Sequence, residues 1–370
     1  MTDYPLQQLS LTEFRSYERL DFDLAGRSVY LFGPNGAGKT NLLEAVSILN
    51  PGKGLRGAAF SELGRGLPDE KTGHPWGVAA VLGSGEDEVR IGTGSSPLNP
   101  AARRVHIDGE NANANRLLDY LRLIWLTPAQ DRIFIESRSE RLRFFDRLAY
   151  AALPSHAVTV TKYEKALRER MRLLQEHPSD HAWIGLVEAN LADAGVLMIE
   201  ARRAALKALQ AEIDSHQGSF PRADLALVGE ALERENDTLH NSLLAGFYYA
   251  RDRDLAAGRS LYGPHRTDFA VTHRDKNRPA AECSTGEQKA LLLNIILAQG
   301  ARLSPAKPIL LLDEVAAHLD PLRRHALFDE THALSLQTLF TGTDLGLFDG
   351  LKSRALGVRV EAGQFIEFLE

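Results

Sequence analysis

Gly33-Pro34-Asn35-Gly36-Ala37-Gly38-Lys39-Thr40 is the stretch on which the fold turns, because it fits the phosphate-loop pattern G-x-x-x-x-G-K-[ST]. Upstream, apolar and polar positions alternate at Leu6, Leu9 and Leu11 and again at Leu20, Phe22 and Leu24. They end in the apolar run Val29-Tyr30-Leu31-Phe32, which predicts strands leading into a buried one. Downstream, Asn41 to Leu49 reads as a helix, stopped by Pro51, Gly52 and Gly54. Between strand and helix the glycines let backbone N–H groups converge on a phosphate at a helix N-terminus. Lys39 supplies a point charge to the β and γ phosphates, and Thr40 offers a hydroxyl to Mg2+. A nucleoside triphosphate is the expected ligand, with Gly33 to Thr40 and the adjoining Asn41 as its contacts.

A second apolar run, Ile309-Leu310-Leu311-Leu312, ends in Asp313-Glu314. A buried parallel strand reads as a continuous apolar run, and ligands of α/β folds bind at the carboxyl ends of such strands. Asp313 is therefore expected to hold the metal's water shell, and Glu314 to orient or deprotonate the attacking water. Ser284-Thr285-Gly286-Glu287-Gln288-Lys289 resembles the signature motif of ABC-type ATPases, although Ser284 with Glu287 is also a capping box for the helix that follows. Asp320, in His318-Leu319-Asp320, resembles that family's D-loop. Gln130, in Leu126-Thr127-Pro128-Ala129-Gln130, resembles its Q-loop glutamine. The resemblance implies ATP and Mg2+ as cofactors. It implies Ser284, Gly286, Glu287 and Asp320 at the γ-phosphate of an ATP held by the opposite subunit, and Gln130 near metal and water. Where transporter members place a switch histidine this chain has Thr341-Gly342-Thr343-Asp344, which leaves Thr341 or Thr343 as substitutes.

The remaining sequence bounds the architecture. Glycine and proline are frequent from Gly64 to Gly109 between short β-prone runs, which predicts an antiparallel β subdomain. Helix formers take over near residue 136, and Val160, Tyr163, Leu167, Met171 and Leu174 keep one apolar stripe until Pro178 breaks it. A second helix follows over about residues 182–216, so an inserted antiparallel helical hairpin is expected. Residues 1–150 and 255–370 are expected to form one discontinuous α/β head, an ABC-type ATPase head of the P-loop class, and 151–254 a helical arm. One cysteine, Cys283, excludes an internal disulfide and a CxxC metal clip. No apolar run approaches the roughly 20 residues that cross a bilayer. The opening MTDYPLQQLS also lacks a charged-then-apolar leader, so a cytoplasmic location without membrane contact is expected. A net charge of −6 confines any nucleic-acid contact to local patches. The candidates are Arg103-Arg104; Arg138, Arg141 and Arg143; Lys162, Lys165, Arg168, Arg170 and Arg172; and Arg202, Arg203 and Lys207.

The long helical insertion between Lys39 and Ser284 and the absent switch histidine disfavour a transporter, and the short arm disfavours SMC proteins proper. The chain is similar instead to the RecF family of SMC-like ABC ATPases, through nearly its whole length. The marks are Leu11-Thr12-Glu13-Phe14-Arg15-Ser16-Tyr17, the loop at Gly33, Ser139 to Asp146, Leu261 to Asp268, and Asp313-Glu314. Phe14, Arg15 and Tyr17 would flank nucleotide or DNA, and Gly263-Pro264 is either part of that set or a turn. The resemblance implies an ATP-dependent homodimer that binds double-stranded DNA near single-strand gaps. It also implies work with RecR and RecO to load RecA onto SSB-covered DNA. The competing reading is a non-transporter ABC ATPase that acts as an ATP-sensing scaffold or SMC-like structural protein without a repair role.

Overall fold

The computed structural model describes residues 4–66, 74–96, 98–216, 218–232 and 236–370, which fall into two compact units. The first unit comprises residues up to Asp131, a short segment ending at Phe220, and Ile296–Glu370. Its elements begin with β1 (Leu6–Phe14), β2 (Tyr17–Asp23), β3 (Val29–Phe32) and α1 (Lys39–Ser47). They continue through β4 (Gly77–Leu82), β5 (Val89–Ser96), β6 (Asn99–Ile107), β7 (Glu110–Asn111) and β8 (Leu123–Leu126). The second unit, Arg132–His216 and Pro221–Ile295, holds α2 (Arg138–Ala152), α3 (Pro154–Glu176), α4 (His181–Ser215), β9 (Ala223–Val228), α5 (Asn236–Ala257), β10 (Asp268–His273), β11 (Arg278–Pro279) and the start of α6 (Thr285–Leu303). The chain then completes the first unit with β12 (Ile309–Leu312), α7 (Pro321–Ala333), β13 (Gln337–Gly342), β14 (Leu356–Glu361) and β15 (Gln364–Leu369).

Two sheets build the first unit. The order β15-β14-β3-β13-β12-β8 is parallel from β14 to β8, with β15 added antiparallel at one edge. Every residue of β3 and β12 is buried, as expected of strands covered on both faces. The order β2-β1-β4-β5-β6-β7 is antiparallel throughout and contains the subdomain expected between Gly64 and Gly109. One core joins the two sheets: Leu9, Phe14, Val29 and Leu31 pack with Leu42, Trp76, Leu311 and Val358. Each such side chain contributes about 2 kcal/mol by leaving water.

The second unit is built on helices. Asp180 caps α4 by accepting the Trp183 amide at 2.9 Å, and the break at Pro178 turns the chain between α3 and α4. The stripe read from the sequence faces inward: Tyr163 and Leu174 are buried, and Val160, Leu167 and Met171 pack against Ile184, Leu191, Leu243 and Phe247. The unit extends beyond the arm expected at 151–254. Phe145 of α2 stacks on Phe269 of β10 at 4.8 Å, so α2 and the sheet β11-β10-β9 belong with the helices. Among the described helices α4 alone has the length and apolarity to cross a bilayer, but half of that window is buried in this core. It also carries Glu188 and Arg202 in buried ion pairs, as a core helix does.

Candidate nucleotide site

The loop before α1 is shaped by close approaches that only glycine permits. Gly33 has φ 145°, and a Cβ there would meet the Val360 carbonyl oxygen at 2.2 Å. Gly38 has φ 111°, and a Cβ would meet Ser16 Oγ at 2.8 Å. The turn between β14 and β15 closes on the same loop, with the Gly363 amide donating to the Ala37 carbonyl at 2.8 Å. No side chain caps α1 at Gly38, and no acid lies in its first turn, so its positive end is open to an anion.

The corner Phe14 to Tyr17 supports this loop from beneath. Phe14 and Tyr17 are wholly buried, and Phe14 meets Trp76 edge to face at 5.7 Å. The Tyr17 hydroxyl donates to the Gly38 carbonyl at 3.0 Å, and burial pushes its phenol pKa up. Arg15 grips the buried Glu44 of α1 with two bonds of 2.9 and 2.8 Å and also donates to the Glu62 carbonyl. Asn41 donates to Ser16 Oγ at 2.9 Å. Of the two roles expected for these residues, a place beneath the nucleotide loop matches this burial, and a DNA-facing surface does not. Glu44 was missed in the sequence; its signal was an acid one turn after Thr40, on a helix face that is otherwise apolar.

The acids meet the loop at the carboxyl ends of β12 and β13. Asp313, 5% exposed, accepts the Thr40 hydroxyl and the Thr341 hydroxyl at one oxygen, each at 2.8 Å. Thr341 Oγ1 also accepts the Glu314 amide at 2.8 Å, while Glu314 sits in the left-handed region at φ 53°. That conformation is uncommon for a residue with a side chain, and the Thr341 hydroxyl braces it. Thr341 is thus the threonine built into the site; Thr343 is exposed. Lys39 Nζ donates to the Gly33 and Pro34 carbonyls at 2.7 and 2.8 Å. Burial lowers its pKa, opposed by Glu314 and Asp313. These carbonyl contacts are ones that phosphate oxygens would replace. The hard oxygens of Thr40 and Asp313 suit Mg2+, which keeps waters and substrate phosphates as its other ligands. Among the described residues no trio of His, Cys, Asp or Glu forms an all-protein cage.

Other expected residues are placed differently. Gln130 ends a short turn just after β8, beside β12, but its side-chain oxygen accepts the Thr127 amide at 3.2 Å. Reaching a metal would require giving up that bond. Asp320 is exposed and caps α7 through the Arg323 amide at 3.0 Å. Ser284, Gly286 and Glu287 lie in the second unit at the start of α6. There one Glu287 oxygen accepts both the Ser284 amide and the Ser284 hydroxyl at 2.9 Å, and the other pairs with Lys276. The Lys276 hydrogen bond, helped by those from Ser284, holds the Glu287 carboxyl down at about 2. Gly263 is more than a turn: at φ 125° a Cβ would strike the Tyr163 hydroxyl at 2.5 Å, and that hydroxyl bonds His265 at 2.8 Å. Asp268 is held by a two-point bond from Arg141 at 2.8 and 2.6 Å.

The basic candidates divide into those held by internal bonds and those on the surface, several of the latter in exposed ion pairs such as Arg143–Glu140 and Arg168–Glu164. Arg103 donates to the Ile48, Asn50 and Gly52 carbonyls and so ties down the end of α1; its burial lowers its pKa to about 10. Arg170 is wholly buried between Glu188 and Asp254, and Arg202 is buried on Asp146. Arg203 bonds the Leu232 carbonyl. The sequence groups these four and Arg141 with the surface patches, and burial or internal bonding removes all five from that role. Lys162, Lys165, Arg168 and Arg172 of α3 and Lys207 of α4 remain exposed, as do Arg104, Arg138 and Arg143.

Known proteins place this arrangement. Residues 5–364 match the family described as RecF/RecN/SMC N terminal domain. The chain is 57% identical to the DNA replication and repair protein RecF of Caulobacter sp. (strain K31), with 97% of each chain covered. It is 44% identical to the protein of the same name from Mesorhizobium japonicum, over 97% of this chain and 96% of that one. Among solved structures, the recombination mediator protein RecF with ATPrS, from the RecFOR pathway, superposes with a TM-score of 0.84 at 22% identity and 98% coverage of both chains. The Smc head domain of Pyrococcus furiosus superposes at 0.56 and 18% identity, over 99% of this chain and 96% of that one. The fold is therefore that of the SMC-type ABC ATPase head, and the chain belongs to the RecF family of DNA replication and repair proteins.

Proposed function

We propose that this protein is an ATP-dependent, DNA-binding clamp: two chains close on duplex DNA next to single-strand gaps when each binds ATP. The carrying observation is the cluster in which Thr40, Asp313, Thr341 and Glu314 converge behind a glycine-shaped loop. In the reaction Lys39 would exchange the Gly33 and Pro34 carbonyls for phosphate oxygens. The amides at the start of α1 would bind the same phosphates. Glu314, held by Thr341, would orient the attacking water and take its proton. Thr40 and Asp313 would hold Mg2+, which when bound supplies neutralisation of phosphate charge. Gln130 joins them if it releases Thr127.

Ser284, Gly286, Glu287 and Asp320 would complete the site of a second chain, so that closure brings the exposed bases of both arms onto one duplex. A chain of negative net charge can bind DNA in that way, with log K falling by about 0.9 per neutralised phosphate per unit of log salt. The relatives' name, DNA replication and repair protein, and the RecFOR pathway of the similar solved structure support a role in DNA repair. We infer RecR as a direct partner, with RecO, RecA and SSB in the same cytoplasmic process. Turnover is expected to be slow and DNA-stimulated.

The test is light scattering of Glu314→Gln with ATP, with and without gapped duplex. A trapped dimer that DNA stabilises is expected, and a monomer at saturating ATP overturns the clamp. Lys39→Ala should lose ATP binding. Turnover in the wild-type chain separates the enzyme from a scaffold that only senses ATP.

A further inference from the structure

The start of α6 contains an electrostatic conflict. A carboxylate, Glu287, bonds the hydroxyl of Ser284, the group that would receive the γ-phosphate of a partner's ATP. Two anions brought that close repel each other unless a cation lies between or beside them. The cation here is Lys276, which pairs with the Glu287 oxygen Oε1 while Oε2 holds the Ser284 amide and hydroxyl.

Lys276 does not reach Glu287 by chance of a long side chain. It ends the tight turn Arg274–Lys276 between β10 and β11, reversed at Asn277 with φ 45°. The register His273 opposite Arg278 fixes that hairpin. Arg274, at its base, bonds Asp224 of β9 at 2.7 Å and Asp214 near the end of α4 at 2.5 Å. Two sets of charge-assisted bonds, Arg274 to α4 and β9 and Lys276 to Glu287 at the start of α6, therefore anchor the same turn.

We infer that Lys276 is a positioning residue for the ATP site completed in trans. It cancels the Glu287 charge, so that the carboxylate can keep the Ser284 amide beside the incoming phosphate while the Ser284 hydroxyl turns its single proton from Glu287 Oε2 to that phosphate. The inference rests on the two-chain reading above. Without Lys276 the carboxylate faces the incoming phosphate uncompensated, and closure weakens. Without the Glu287 charge, Lys276 is no longer needed for neutralisation.

The experiment compares full-length wild type with Lys276→Met, Lys276→Arg, Glu287→Gln and Lys276→Met/Glu287→Gln. It measures the ATP affinity of the dilute monomer with a fluorescent ATP analogue, and the Kd of ATP-driven dimerisation by sedimentation at low and high salt. Lys276→Met should leave monomer ATP affinity within about twofold and raise the dimer Kd about tenfold at low salt, less at high salt. Lys276→Arg should restore most of the loss, and the double variant should return close to wild type. An equally weak double variant, or no rescue by arginine, would mean that Lys276 only maintains the local fold, and the proposal fails. Wild-type dimerisation with an indifferent Lys276→Met also defeats it while leaving the two-chain reading intact. A wild-type chain that stays monomeric at saturating ATP defeats both.

Discussion

Thr341→Val removes one hydroxyl and little volume, so its effect can be worked out from two contacts. In the wild type Thr341, 1% exposed, donates to Asp313 at 2.8 Å and accepts the Glu314 amide at 2.8 Å. A hydrogen bond to a charged group contributes about 1.5–3 kcal/mol, and a buried amide left without its acceptor costs about 1–3 kcal/mol. Glu314 also occupies a left-handed conformation at φ 53°, which the lost bond helped to hold. Folding stability should fall by about 3 kcal/mol. If half or more of that loss appears in the transition state, kcat falls about 10- to 100-fold. KM for ATP should stay within about threefold, since Lys39 and the glycine loop are untouched. Thr341→Ser keeps both bonds and should retain most of the rate. The assay is single-turnover ATP hydrolysis beside thermal unfolding of the three proteins. Thr341→Val with wild-type turnover and an unchanged Tm would refute the bracing role.

Other perturbations test other levels of the structure. Gly38→Ala forces a side chain into φ 111° and against Ser16 Oγ, and should abolish ATP binding in a nucleotide-affinity assay while the chain stays folded by circular dichroism. Arg170→Met leaves the buried Asp254 with only the Ser260 hydroxyl and the Leu261 amide, and Glu188 with only Arg251, so the denaturant midpoint should drop by the equivalent of about 3–5 kcal/mol. For Asp146, burial pushes the pKa up, but Arg202 and the hydrogen bonds from His156 and Arg202 together bring it below its usual 3.8. A depressed carboxyl stabilises the fold above its unfolded value and loses that stability as pH falls through the folded one. Acid unfolding below about pH 4 should therefore be blunted in Asp146→Asn, whose stability at neutral pH is lower. Lys165→Glu with Arg168→Glu should weaken DNA binding and flatten its salt slope. Arg103→Met should lower Tm without changing that slope, as filter binding over a salt series would show.

Much of the site was legible because its parts are local in sequence. The glycine spacing, the all-apolar strand before Asp313 and the cap pattern at Ser284 each report a strand end or helix start within a few residues. What the sequence hid are contacts whose partners lie far apart in the chain. Nothing near Arg15 says that it grips Glu44, and nothing near Val360 says that its carbonyl needs a glycine opposite. The basic runs misled for a related reason. Arg170 and Arg202 sit in the same charged stretches as exposed lysines; Arg170 falls on the buried row of Tyr163 and Leu174, but only the packing of α3, α4 and α5 shows the acids that receive the two arginines. The arm's edge was likewise invisible, because α2 joins the second unit through aromatic stacking on β10 rather than through any break in its own sequence.

The clasp on the phosphate loop by the turn at Gly363 has a consequence for biosynthesis. The loop is synthesised roughly 300 residues before Val360 and Gly363, which shape it. Strands β13 and β14, the neighbours of β3, are equally late. A nascent chain therefore exposes its glycine-rich segment long before that segment can grip a nucleotide. ATP becomes a ligand only once the β14–β15 hairpin has emerged, and cellular ATP cannot rescue a chain that lacks it.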